Sequence, residues 1–371
     1  MIKKLRKHLR NLRGWRTNRK IVVFESDDWG SERTRSQDTI NALQIAGYPV
    51  EKSKMNMTDS LESNTDLEML FEVLSKFKDR NHNHPVISAC FNVANPDYKK
   101  IRSSGFKEYY YLDISQTAKQ YPDHDRIVNL YKQGFASGVF HAAYHGREHL
   151  NAQRWLKALR DGHKDVHFAF ELGFYSLSSA FGTGLEKGLR ATYDHDSEDD
   201  LPFMFESIAD GTRLFKETFG YNSDYFVPPD GPYPRKIGFE KVLLDNGITF
   251  LGGPGMQKVA DGKGGYTRKH HYLGQRNEYG QTYITRNGVF EPQEPGRDWI
   301  SYCLQDIKLA FTWRKPAIIS THRSNYMGSL DAKNRDKGLA DLGKLIEKVV
   351  NKWPDVEFMS SNELNKMVAR N

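Results

Sequence analysis

The 371-residue sequence predicts an α/β fold, a barrel or a doubly wound sheet. Three observations lead there. Short apolar runs recur along the chain, several apolar throughout, as parallel strands covered on both faces should be. Amphipathic helical patterns separate these runs. The stretches rich in Gly, Tyr, Asp and Lys fall as insertions between elements, where an α/β fold gathers its chemistry.

In chain order, strands are expected at 21–25, 86–93, 138–143, 167–171, 223–227, 248–252 and 317–321. Helices are expected at 64–79, 124–133, 151–160, 201–219, 235–246, 301–312 and 335–352. Segments 96–123, 176–200 and 253–298 read as loop insertions within one domain spanning 21–371. No internal repeat and no low-complexity segment interrupts this order.

The net charge of +7 is local. Residues 1–20 carry nine of the 54 Lys and Arg and no acid, leaving 45 basic against 47 acidic residues beyond them. Ile2, Leu5, Leu9, Leu12 and Trp15 recur every three or four residues, one stripe of a basic helix. Such a helix suits an anionic membrane surface or packs its stripe on the body. A near-neutral body argues against nucleic acid as a partner. No run of 18 apolar residues and no apolar h-region of signal-peptide type is present. Cys90 and Cys303 sit in apolar surroundings and make no disulfide framework. The expected compartment is the cytoplasm, with a peripheral place on the inner membrane surface.

Ser26-Asp27-Asp28-Trp29-Gly30 follows the first apolar run. Adjacent carboxylates at the end of a strand repel unless a cation or proton lies between them. Their side chains diverge on extended backbone, so one can hold a metal while the other acts as a base. The second signal is His141, His145 and His149 at four-residue intervals, with Gly146 and Asn151 in the same stretch. On a helix, His145 and His149 would share a face and offer two imidazoles to one metal. His163 and His167 have the same spacing, so spacing alone does not decide.

The order of five motifs does. Ser26-Asp27-Asp28-Trp29-Gly30, His145-Gly146-Arg147-Glu148-His149-Leu150-Asn151, Phe226-Val227-Pro228-Pro229-Asp230-Gly231, Arg297-Asp298-Trp299 and Ile318-Ile319-Ser320-Thr321-His322 resemble the polysaccharide deacetylase superfamily, the NodB-homology group of carbohydrate esterases. The resemblance implies a distorted (β/α)7-type barrel. It implies one divalent metal, usually zinc, with cobalt, nickel or iron as alternatives, held by Asp28, His145 and His149. It implies Asp27 as general base and His322 as general acid. Asp298 would orient the His322 ring. Trp299, Tyr233 and Tyr326 are candidates to stack on sugar rings, and Pro229, Arg297 and Arg323 to line the substrate site. The implied partner is an acetylated carbohydrate, losing an N-acetyl or O-acetyl group. A small linear or cyclic amide, or a binding protein that has lost catalysis, are the alternatives. The chain departs from the pattern at Val227, where the family carries an arginine that pairs with the base; Arg286, Arg297 or Arg323 could supply that charge.

Overall fold

The computed structural model describes residues 2–234 and 238–370, with side chains from residue 7 onward. The side chains of Ile2 and Leu5, and residues 235–237 of the helix expected from 235, lie outside the described residues.

Eight parallel strands form the frame: β1 Lys20–Trp29, β2 Ile87–Asn92, β3 Phe140–Gly146, β4 Tyr225–Phe226, β5 Phe250–Pro254, β6 Thr282–Arg286, β7 Gly288–Val289 and β8 Ala317–His322. Their order is β6-β5-β4-β3-β2-β1-β8-β7, and a short strand β9, Val356–Phe358, pairs with the start of β1. The ends of this path, β6 and β7, are separated by Asn287 alone, so the chain itself joins them and the sheet returns on itself as a barrel. Asn287 makes the joint by pairing with Ile318 of β8: its N–H donates to the Ile318 carbonyl at 3.1 Å, and its side-chain oxygen accepts from the Ile318 N–H at 2.9 Å.

The two-residue alternation of a strand sorts the frame into layers. Val22 and Phe24 of β1, Ala89 and Phe91 of β2 and Ala142 and Tyr144 of β3 join the core shared with the helices. Ile21, Val23, Cys90, Ala143, Ile284 and Ile318 form the separate apolar cluster of the opposite face. Two residues further along the same face come Asp27 beyond Glu25, His145 beyond Ala143, Arg286 beyond Ile284 and His322 beyond Ser320. The strands thus end their inner face in charge at one end of the barrel. A third cluster, with Trp155, Leu156 and Phe170, packs the segments from 150 to 189 against Ile40, Val50 and Ile101.

Two expectations are corrected. Residues 167–171 lie in a helix, Lys164–Glu171, not a strand. Val166, Ala169 and Phe170 are its buried positions, a helical period hidden in a short apolar run. Segment 253–298 is not wholly a loop insertion, because it contains β6 and β7. It also carries a hairpin, Met256–Ala260 against Tyr266–His270.

Candidate metal centre

Asp28 would point away from the inner face if β1 alternated strictly. Instead the strand bulges: its register with β2 shifts between Ser26 and Trp29, and Asp28 takes φ 75°. A bulge re-aims side chains in this way. Trp29 turns into the core, its indole N–H donating to Ser26 Oγ at 2.9 Å. Gly30 follows at φ 73°, held by Glu62, which accepts its N–H at 3.0 Å, and by Asn95, which donates to its carbonyl at 2.8 Å.

His145 is the last residue but one of β3 and His149 lies in the bend before the helix Ala152–Arg160, so the two are not partners on a helix. Each ring is fixed through Nδ1. His145 Nδ1–H donates to the Val227 carbonyl at 2.6 Å and His149 Nδ1–H to the Arg190 carbonyl at 3.1 Å. These bonds select the tautomer in which each Nε2 carries a lone pair. Both Nε2 atoms face the same oxygen of Asp28, at 3.4 Å and 3.0 Å. The ligand atoms of the three residues all lie within 4.8 Å of one another. His145 Nε2 is buried with no hydrogen-bond partner. Two imidazole lone pairs around a carboxylate oxygen fit a divalent cation with two nitrogens and one oxygen. Arg190 also places a guanidinium N–H 3.0 Å from His149 Nε2, and competes with a cation for that lone pair.

The charges agree with a ligand set. Burial alone would raise the Asp28 carboxyl, but its charged surroundings, Arg33 among them, hold it well below the usual range. Burial, then Arg190, keeps His149 below the ordinary imidazole value and therefore neutral. The second oxygen of Asp28 accepts from Arg33 at 2.9 Å. Arg33 pairs with Asp59 at 3.2 Å, and Asp59 with Arg323 at 2.9 Å. Arg323 continues to Glu62, which holds Gly30. Arg323, expected beside the substrate, is instead fully buried in this chain of paired charges.

Asp27 is gripped by Arg286 through two hydrogen bonds, 2.5 Å and 2.7 Å. Burial alone would raise Asp27, but Arg286 outweighs it and the carboxyl falls to about 2. Arg286 also donates to Glu25 at 2.6 Å. Of the three arginines that could replace the one absent at Val227, the structure pairs Arg286 with Asp27. Val227 gives its carbonyl to His145 instead.

His322 is the cross-strand neighbour of Asp27 in the β1–β8 register. Its Nδ1–H donates to Glu291 at 2.7 Å, and Asn325 donates to the other Glu291 oxygen at 2.8 Å. Burial would lower the imidazole, but Glu291 raises it to about 10. The carboxylate on His322 is therefore Glu291, not Asp298. Asp298 caps the helix Trp299–Thr312, accepting the Ser301 N–H at 3.0 Å.

The remaining expected residues divide. Pro229 is buried against Gly146, beside His145. Tyr233 is buried, its hydroxyl 3.3 Å from Glu240, and borders a cavity next to Asp230. Trp299 donates its indole N–H to the Glu294 carbonyl at 2.8 Å. The Arg297 guanidinium covers the Trp299 and Tyr302 rings at 4.5 Å and 4.1 Å, so these groups occupy one another. Tyr326 is core, its hydroxyl 3.2 Å from Thr321 Oγ1.

Solved structures similar to this chain include polysaccharide deacetylases. One is described as a polysaccharide deacetylase from Mycobacterium smegmatis, with 12% identity over 96% of this chain and 93% of that one, and a TM-score of 0.44. Another, so described from Pseudomonas aeruginosa PAO1, has 9% identity over 95% and 92%, with a TM-score of 0.47. Puue allantoinase has 11% identity over 96% and 91%, with a TM-score of 0.45. No family model matches the chain, and no curated protein matches it. With identities and scores this low, the site residues themselves carry the chemistry argued below.

Sequence reading gave no role to Arg190, Asp230 or Glu291. Asp230 is 40% exposed, at φ 52°, 4.0 Å from His149 Nε2 and 3.5 Å from Arg190. It stood inside a quoted motif, so its signal was present. A cavity of about 610 Å³ opens beside it, lined among others by Lys52, Lys187, Arg190 and Tyr266. A second of about 220 Å³, bordered by Tyr233, also reaches Asp230.

Proposed function

We propose that this chain is a metal-dependent deacetylase that removes an N-acetyl or O-acetyl group from a polysaccharide or glycan precursor. The observation that carries the reading is the convergence of three groups of residues. Asp28, His145 and His149 offer a ligand set, and the Asp27–Arg286 and His322–Glu291 pairs flank it, with Asp27 and His322 on neighbouring strands. A divalent cation bound there, zinc or a late first-row neighbour, would polarise the acyl oxygen and acidify an attacking water.

The chain's own residues do the rest. Asp27, kept ionised and oriented by Arg286, accepts the proton of the attacking water. His322, kept protonated by Glu291, gives a proton to the departing nitrogen or oxygen. The ring orientation that aims Nε2 of His322 comes from Glu291 on Nδ1. The cavities meeting at Asp230 offer room for sugars flanking the acetylated unit.

The test is elemental analysis of purified protein beside Asp28→Ala and His149→Ala, followed by acetate release from acetylated oligosaccharides. About one metal per chain, lost in both variants, with acetate release lost in His322→Ala at retained metal, is the expected result. No metal after reconstitution, or acetate release unaffected by these changes, overturns the proposal.

A further inference from the structure

The helix Ile2–Leu12 meets the body through its polar side. Lys7 pairs with Asp306 at 2.6 Å and lies 3.5 Å from the centroid of the Tyr302 ring. His8 Nδ1 accepts the indole N–H of Trp313 at 3.2 Å. Asn11 is buried and its side-chain oxygen accepts from Asn287 at 2.9 Å. The segment after the helix is fastened too, since Lys315 Nζ donates to the carbonyls of Arg13, Gly14 and Trp15 at 2.8, 2.6 and 2.6 Å.

Leu9 and Leu12 therefore face away, whereas Trp15, beyond the helix, packs against the cluster that holds Leu273 and Val368. Leu9 is 56% exposed and Leu12 43%. At about 100° per residue, Leu9 and Asn11 stand roughly 160° apart around the helix axis when counted the short way. In the sequence, Ile2 and Leu5 continue the three- and four-residue spacing of Leu9 and Leu12. Arg10, Arg13 and Arg16 are exposed beside the stripe. A helix whose task was to stabilise the fold would bury Leu9 and Leu12 and expose Lys7 and Asn11; this one does the reverse.

We propose that this face of the helix docks the protein on an anionic phospholipid surface. An exposed leucine stripe flanked by arginines is the pattern of a helix lying in a membrane interface. The charge selects the occupant. With nine basic residues and no acid in residues 1–20, a second copy would set arginines against arginines, whereas anionic headgroups complement them. No helix among the described residues is long and apolar enough to cross a membrane, so the contact is peripheral.

The experiment is co-sedimentation of the full chain with vesicles of phosphatidylcholine alone and of phosphatidylcholine mixed equally with phosphatidylglycerol. The variants are the doubles Leu9→Glu with Leu12→Glu, and Arg10→Glu with Arg13→Glu. All four positions are exposed, so the thermal midpoint and the circular dichroism spectrum should match the parent and certify folding. The parent should bind the anionic vesicles and not the neutral ones, and each double should lose partitioning by about tenfold or more. Failure of the parent to bind anionic vesicles, or undiminished binding by the leucine double, overturns the proposal. So does concentration-dependent dimerisation of the parent that the leucine double abolishes, which would assign the face to a second copy. None of these readouts depends on the metal centre.

Discussion

Single residues decide the protonation states of the site. Asp27 is ionised because Arg286 holds it, so loss of that guanidinium should raise its pKa from about 2. In the proposed mechanism Asp27 is the general base and works only when ionised, so activity should disappear as pH falls through that pKa. Arg286→Met should therefore move the acidic limb of the pH–rate profile upward, while Arg286→Lys should move it less. Arg286→Met also leaves Glu25 and Asp27 buried without their cation, which costs about 3–5 kcal/mol. The thermal midpoint should be read beside the rates, and an acidic limb unmoved in a folded Met variant would deny Arg286 this role. His322 has the opposite sign. Glu291 raises it to about 10, so Glu291→Gln should bring the alkaline limb toward neutral pH. The stabilisation from this pair is fully present below the unfolded histidine value of about 6.5 and is lost as pH rises through the folded value. Wild-type stability should thus decline across that window and Glu291→Gln should flatten it, which pH-dependent urea unfolding measures. The paired aspartates and the histidine spacing were legible because they are close in sequence. Glu291 and the choice of Arg286 were not, because each meets its partner only when distant strands lie side by side.

At the scale of elements, the bulge of β1 converts a strand end into a ligand site. Without it, strict alternation would turn Asp28 toward the helices and leave the two histidines facing a gap. The bulge is locked by Gly30, where an added Cβ would stand 2.2 Å from the Asn92 carbonyl oxygen on backbone at φ 73°. Neither obstacle is a flexible side chain. Gly30→Ala should destabilise by about 2–4 kcal/mol and weaken metal binding, since the displaced segment carries Asp28. Denaturant unfolding with metal titration checks both, and a variant with parental metal affinity would show that the bulge does not depend on this glycine. The same scale explains which elements the sequence disclosed. β1, β2, β3 and β8 each contain a short apolar run that marks them as strands in the sequence. The helix Lys164–Glu171 was misread because eight residues are too few for its period to outweigh its apolar character. β6 was absorbed into a loop because its buried Thr282 and Thr285 read as polar.

For the molecule as a whole, closure of the barrel was the least legible feature. Alternation of strands and helices announced an α/β fold, but the sheet closes through a two-residue strand and one asparagine, which no periodicity reveals. The consequence is that the proposed metal centre joins segments far apart in sequence: the end of β1, the end of β3 with the bend after it, and, through the Arg190 carbonyl on His149, residues from a long insertion. A cation bound only by the folded chain must stabilise all three together. Metal at about 100 times its dissociation constant should add about 2.7 kcal/mol. The unfolding midpoint should therefore fall when the protein is treated with chelator and recover on adding zinc. His149→Ala should be indifferent to both treatments, because one lost ligand removes the coupling while the Arg33–Asp59–Arg323 chain still holds Asp28 in place. If instead His149→Ala retains the full metal-dependent shift, the stabilising site lies elsewhere in the molecule and the convergence of these three residues is not what the cation binds.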